Sequence, residues 1–511
     1  MSRRCLIGLA HGARERIIIY AFSFLFVPML FLTAGCGSLK APKKSDEFWV
    51  PPKWEKTTKK PDDVWLALRA KKIDSSKEFD LLELVNIALR NNPAILQAWY
   101  DARSAYAKLK QAESTWYPQV SVSGDWTGDK KVANQQSGSI KSSSYGGSAD
   151  ASMLAFDFGG RSGAIRQAYN DLIAANFTFN QIIQDTILQV ESEYFALYSA
   201  KANRLAAEAD VADAEKTLFA AEEKYKTGIG VQLDVLQARA NYDETRYALE
   251  ETKGSLESAK ASLATSLGFP ADTKLAITDP SWEVPEDMTR QDVMVLIEEG
   301  LRSRPDIASS KAILRSKEAA AAIAGSLLWP TLDVGGSIEK RWVQTFGDNK
   351  SYNHDYEYTG FLKASWDVFD GFNNYAGMKE ARAERDAQRR QLEQDELAAS
   401  ADVWTKYYNL KTAISKLKYG ESFFKNAESS FELTLDSYRA GLKSVLDILY
   451  ANSQLAEARS NLVQSKNDMY TAFVELLHAT GSISVENVPG YAGQLSSSQD
   501  QQKEDRKGGP K

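Results

Sequence analysis

Long stretches of this chain repeat polar and apolar positions at helical spacing with almost no Pro or Gly, and two of them are interrupted by a single glycine. Tyr225-Lys226-Thr227-Gly228 precedes Asp234-Val235-Leu236, and Tyr438-Arg439-Ala440-Gly441 precedes Asp447-Ile448-Leu449. Both the tyrosines and the aspartates of the two stretches lie 213 residues apart. Each interruption predicts two helices meeting at a tight turn, where Gly supplies the left-handed residue that ends the first helix. Past the second turn, Ile448, Leu455, Leu462, Met469 and Leu476 recur every seven residues, with Ala451, Ala458, Ser465 and Ala472 in the other seam position. Past the first turn the same places hold Val235, Tyr242, Leu249, Leu256 and Leu263, with Ala238, Thr245, Thr252 and Ala259. A heptad sustained this long specifies a left-handed coiled coil, and its recurrence at a fixed offset predicts two copies of one unit.

Elsewhere the period drops to two. After Trp116-Tyr117-Pro118 and Leu328-Trp329-Pro330 the chain alternates strictly. Val120, Val122, Gly124 and Trp126 fall on one face, as do Leu332, Val334, Gly336, Ile338 and Trp342. Polar loops are expected over 128–144 and 346–355, each followed by a returning strand. Tyr356, Tyr358, Leu362, Ala364, Trp366 and Val368 continue the apolar face, while the strand from Tyr145 to Phe158 alternates less cleanly and slips near Leu154. Strands of about ten residues, apolar on one side and polar on the other with aromatics toward the ends, fit a transmembrane β-barrel with a wet interior. Two amphipathic hairpins on a soluble sheet are the plainer alternative. In lipid, four strands cannot close and open edges are not tolerated, so the barrel reading requires several protomers.

The helix leaving the first hairpin, Arg161 to Thr227, would be about 100 Å long at 1.5 Å per residue, and its return, Val231 to Leu267, about 55 Å. The deficit matches the helix from Ala94 to Tyr117, which predicts one long helix beside two shorter ones stacked end to end. The segments assign as 1–35 signal peptide, 36–80 tether, 81–290 first repeat with hairpins 118–158 and 161–267, 291–482 second repeat with hairpins 330–369 and 372–480, and 483–511 disordered tail.

Composition narrows the function. Only 43% of the 511 residues are hydrophobic, which excludes a helical membrane protein of many spans, and a net charge of −6 argues against nucleic acid as a partner. Arg3, Arg4, Arg14 and Arg16 precede an apolar run from Ile17 to Leu32 and then Thr33-Ala34-Gly35-Cys36. That is a secretory signal ending in a lipobox-like sequence with Cys36 as the acylated residue, or an ordinary signal with an incidental cysteine. Trp49, Trp54 and Trp65 lie in a Pro- and Lys-rich tether, free to pack on helices or at a membrane interface. Of the three histidines, His11 goes with the signal, and neither His354 nor His478 has a neighbour at metal-ligand spacing. No phosphate-cradling loop, nucleophile elbow or metalloprotease motif occurs, so no enzyme, cofactor or metal is expected.

The lipobox, the duplication, Phe156-Asp157-Phe158-Gly159-Gly160 and the Tyr-x-x-Gly turn followed by Asp-Val-Leu-Gln-Ala-Arg together resemble the TolC/OprM class of outer-membrane efflux channels over roughly residues 80–482. The resemblance implies a mixed α and β fold. A homotrimer would build a twelve-strand β-barrel from four strands per protomer, continued by a long α-helical coiled-coil barrel in the periplasm. It implies a passive duct in the outer membrane of a Gram-negative bacterium, supplied by an inner-membrane pump through a periplasmic adaptor (membrane fusion protein). A type I secretion exit duct of the same fold is the alternative, and a coiled-coil adaptor a more distant one. By the same resemblance Gly228 and Gly441 face the adaptor, and Asp234, Tyr438, Lys443, Asp447 and Tyr450 surround the periplasmic entrance. Asp447 would narrow it, Tyr450 replaces a second aspartate, and Lys443 stands where TolC-type channels carry Arg. Both aspartates also sit in the first turn of a helix, where the macrodipole alone favours a carboxylate.

Overall fold

The computed structural model describes residues 77–132, 139–280, 291–346 and 351–484. Cys36, the signal segment, most of the tether and the tail from residue 485 lie outside the described residues. In chain order the elements are β1 (Glu78–Phe79), α1 (Leu81–Asn91), α2 (Pro93–Glu113), β2 (Gln119–Val132), β3 (Ser139–Phe156), α3 (Gly160–Lys226), α4 (Gln232–Ser266) and β4 (Ala276–Ile277). The second half follows with α5 (Val293–Ser303), α6 (Pro305–Ser326), β5 (Thr331–Phe346), β6 (Ser351–Ser365), α7 (Asn373–Arg439) and α8 (Val445–Ala479). The long helices α3 and α7 both have 67 residues, and α4 and α8 both have 35.

β2, β3, β5 and β6 form one antiparallel sheet in that order, leaving β2 and β6 as unpaired edges. The strands run 14, 18, 16 and 15 residues, longer than the ten expected. The difference lies in the stretches assigned to polar loops. Gly128–Val132 pairs with Ser139–Ser143, and Ser351–Asp355 pairs with Arg341–Thr345. A backbone ladder needs no apolar side chains, so the strands continue beyond the apolar band. Directly paired residues of antiparallel strands share a face. Val122, Ala149, Ile338 and Tyr358 therefore form one row, and Trp126, Tyr145, Trp342 and His354 another. The slip near Leu154 is a register shift between Leu154 and Phe156, a bulge that keeps Phe156 in the apolar row opposite Leu332.

Where sheet meets helices, Arg161 is buried. Its guanidinium donates to Leu154 O at 2.6 Å and Thr115 O at 3.3 Å and stacks 3.6 Å from the Trp116 ring. One side chain thus ties the bulge to the end of α2.

α3 packs on α2 and α4, and α7 on α6 and α8, while α6 and α8 also pack on α3. The shorter helices meet end to end. Asn92 Nδ2 donates to Ser266 O at 3.0 Å across one joint, and Arg304 Nη1 donates to Ala479 O at 3.2 Å across the other. Gly268 and Gly481 allow this approach. Both have positive φ, and a Cβ would meet Asn91 O at 2.6 Å and Arg304 N at 2.8 Å. Two segment boundaries differ from the sequence assignment. Phe79, placed in the tether, is buried and belongs to β1, which pairs in parallel with β4. Ile483, placed in the tail, is buried, and its N–H bonds Leu477 O at 3.1 Å.

The two heptad seams are buried unequally. Ile448, Ala451, Leu455 and Ala458 are buried, because α8 lies between α7 and α3. On α4 only Ala238, Leu256 and Leu263 of the seam are buried, because that helix packs chiefly on α3.

Candidate channel entrance

Both helix–helix turns end α3 and α7 in the same way. Gly228 N–H bonds Tyr225 O and Ile229 N–H bonds Lys224 O, each at 3.0 Å. In the second turn Gly441 N–H bonds Tyr438 O at 3.0 Å and Leu442 N–H bonds Ser437 O at 2.9 Å. This pairing needs a left-handed residue at the glycine, and φ is 74° at Gly228 and 80° at Gly441. Ile229, Val231, Leu233, Leu442 and Leu446 stand exposed around the turns. A groove of about 350 Å³ lies between the tips, lined by Phe219, Glu223, Lys224, Ile229 and Arg439 among others.

Tyr438 is almost fully buried, at 1% exposure. Its hydroxyl has no hydrogen-bond partner among the described residues. The hydroxyl therefore makes no bond to Asp234 in this conformation. Burial first, and then the charge of Asp234, push the Tyr438 phenol above its usual range. The tie to the neighbouring hairpin comes from Lys224 instead, which donates to Tyr438 O at 2.9 Å.

Asp447 is the best-partnered of the five entrance candidates. It accepts from Ser444 N–H at 2.9 Å and from Ser444 Oγ at 2.8 Å, and its own N–H donates back to that hydroxyl at 3.3 Å. This is a capping box at the start of α8. Those hydrogen bonds, with the charge of Lys443 at 3.6 Å, hold its carboxyl below the usual carboxylate range. Tyr450, one turn on, is exposed. The structure thus brings Asp234 toward Tyr438 and pairs Lys443 with Asp447, and it adds Lys224 and Ser444, which the sequence reading passed over. Ser444-x-x-Asp447 was readable as a capping motif; Lys224 carries no such signal. Further along the hairpins, Arg459 bridges α8 to α3 through Asp210 at 2.6 Å and Asp213 at 2.8 Å.

Among the described residues no group of His, Cys, Asp and Glu could hold a metal ion. Residues 84–269 and 296–482 match the outer membrane efflux protein family, and the chain belongs to it. It is 26% identical to protein CyaE of Bordetella pertussis over 423 residues, 82% of this chain and 87% of that one. It is 25% identical to the pyoverdine export outer membrane protein OpmQ of Pseudomonas putida over 453 residues, 85% and 91% of the two chains. Among solved structures, the outer-membrane channel OprN superposes with a TM-score of 0.67 at 20% identity, over 79% of this chain and 90% of that one. CusC gives 0.68 at 18%, over 81% and 96%.

Proposed function

We propose that three copies of this chain form a passive export duct through the outer membrane, each built from two copies of one ancestral unit. The observation that carries this reading is the four-strand sheet, with unpaired edges at β2 and β6 and one continuous apolar face. Such a sheet cannot stand alone in lipid, whereas three together make twelve strands, enough to enclose a lumen. The helices support association of copies as well. Leu397, Trp404, Tyr408, Tyr419 and Leu433 form an exposed stripe on α7, and Leu233, Leu236 and Tyr247 are exposed on α4. These are the two outermost helices of the protomer, and a neighbour's α4 laid on α7 would bury both.

In this arrangement Cys36 anchors the tether in lipid and the helices extend into the periplasm. The turns at Gly228 and Gly441 face a periplasmic adaptor, and Asp234, Tyr438, Lys443, Asp447 and Tyr450 surround the entrance. An inner-membrane pump supplies the substrate and the energy. OpmQ is named for pyoverdine export, and export of a small molecule is the corresponding proposal here. The test is fractionation and planar-bilayer recording. Heat-modifiable trimers from the outer membrane that conduct ions support the duct, while a non-conducting soluble monomer refutes it.

A further inference from the structure

Charge is segregated between the two faces of the sheet. Every acidic residue of the four strands falls on the polar face, from Asp125 and Asp150 to Glu339 and Glu357, together with Arg341 and Lys363. The apolar face has no acidic residue and carries Lys130, Lys141, Lys340 and His354. All four lie toward the hairpin ends, away from the helices. Lysine on a lipid-facing row is costly near mid-bilayer and cheap near the interface.

The surroundings of Lys340 identify that interface. Its row is Gly124, Gly147, Lys340 and Tyr356, and the next row outward is Trp126, Tyr145, Trp342 and His354. Tyr145 and Trp342 stack at 5.3 Å, and Trp126 Nε1 donates to Ser143 Oγ at 3.1 Å. An aromatic row with polar tips is the girdle of a membrane–water boundary. The Lys340 ammonium lies 4.8 Å from the Trp342 ring centre and 4.3 Å from that of Tyr356, and it donates to the Tyr356 hydroxyl. The amine is thus drawn up into the girdle. Lys130 and Lys141 are directly paired six residues further out along the strand, both exposed. Six residues span about 20 Å of strand, or about 15 Å of height at a tilt near 40°.

We propose that this face binds a phosphorylated glycolipid of the outer leaflet, with Lys340 at one phosphate and Lys130 and Lys141 at others higher on the headgroup. A simple phospholipid offers phosphate at one depth, whereas a lipid with phosphates along a saccharide spans both. Among the described residues no carboxylate lies on the same face to repel an anion. The proposal rests on the barrel reading above, which sets the apolar face toward lipid.

The test uses the assembled trimer in three kinds of vesicle: phosphatidylcholine alone, with lipopolysaccharide, and with dephosphorylated lipopolysaccharide. Phosphorylated lipopolysaccharide alone should raise the temperature of trimer dissociation and remain bound after detergent extraction. The triple variant Lys130→Gln, Lys141→Gln, Lys340→Gln should lose this binding, on the order of fivefold for each lysine, while Lys363→Gln on the polar face keeps it. Equal effects of phosphorylated and dephosphorylated lipid, undiminished binding in the triple variant, or an equal loss in Lys363→Gln would overturn the proposal. If the triple variant does not assemble, the wild-type comparison across the three vesicles decides. Conductance in phosphatidylcholine bilayers is read separately. Conducting trimers indifferent to lipid phosphate overturn only the lipid site, and absence of conductance overturns the duct.

Discussion

The Lys224 ammonium lies 4.1 Å from the centre of the Tyr438 ring and donates to the Tyr438 carbonyl, joining the tips of two hairpins separated by more than two hundred residues of sequence. The cation sits on the face of a ring that is itself buried, where desolvation strengthens the attraction. It also adds a second donor to a carbonyl of the last turn of α7 that already accepts the Gly441 N–H at 3.0 Å.

The contact predicts a division of labour at the entrance. Lys224→Met should loosen the pair of tips and raise single-channel conductance. Tyr438→Phe should leave conductance nearly unchanged, because the hydroxyl makes no hydrogen bond in this conformation. A large rise with Tyr438→Phe would mean that a bond to Asp234 forms in the working assembly.

Asp447 should stay ionised to lower pH than an ordinary carboxylate. Its folded pKa is depressed by Ser444 and Lys443, so the charge is present above the ordinary value of 3.8 and is lost only below it. Block by multivalent cations from the periplasmic side should persist through pH 4 and disappear in Asp447→Asn. Ser444→Ala removes the hydroxyl's bond and should move the loss of block to higher pH. Cation block unchanged in Asp447→Asn would leave the residue with its capping role alone.

Glu191 on α3 is fully buried, and neither carboxylate oxygen has a hydrogen-bond partner among the described residues. Burial raises its pKa to about 8, so it is largely protonated at neutral pH. A raised acid pKa favours the fold at low pH. That contribution is complete below the unfolded value of 4.5 and is lost as pH rises toward about 8. The protein's melting temperature should therefore fall over that window, and Glu191→Leu should flatten the fall. An identical pH slope in the variant would show that other groups set it.

Arg459 is largely buried, and it faces two aspartates that are also largely buried. Arg459→Ala strands Asp210 beside Asp213 and should cost about 3–5 kcal/mol, the usual result of breaking a buried pair. Adding Asp210→Leu should recover part of the loss, since Asp213 keeps Lys216 at 2.7 Å. Chemical unfolding of the three proteins checks the order.

Val334→Arg, on the apolar row near the middle of the band, should cost about 2–4 kcal/mol. Ser337→Arg is the matched control on the polar face, where it pairs directly with Asp150 and Thr359. Asp333 is a poorer control, because Lys363 lies opposite and an arginine there would meet a like charge. Yields of heat-modifiable trimer should fall for the first variant and hold for the second.

Periodicity determined much of this protein by itself. The heptads of α4 and α8, the alternation of β5 and β6 and the glycines at 228 and 441 are local patterns. Each reflects a backbone geometry set within a few residues, so each could be read from the chain alone. Even the bulge at Leu154 left a trace, because one extra residue reverses the phase of the alternation. The extent of the strands was not readable, since Ser, Lys and Gly can continue a ladder without the apolar signal that announces it. Only the tertiary structure decided the partners that lie far apart in sequence. Arg459 finds Asp210 and Asp213, Lys224 finds Tyr438, and Arg304 finds Ala479 because helices of matched length bring those turns level. The burial of one heptad seam and the exposure of the other follow the same rule: the sequence sets which face of a helix is apolar, and the packing sets how many neighbours that face meets.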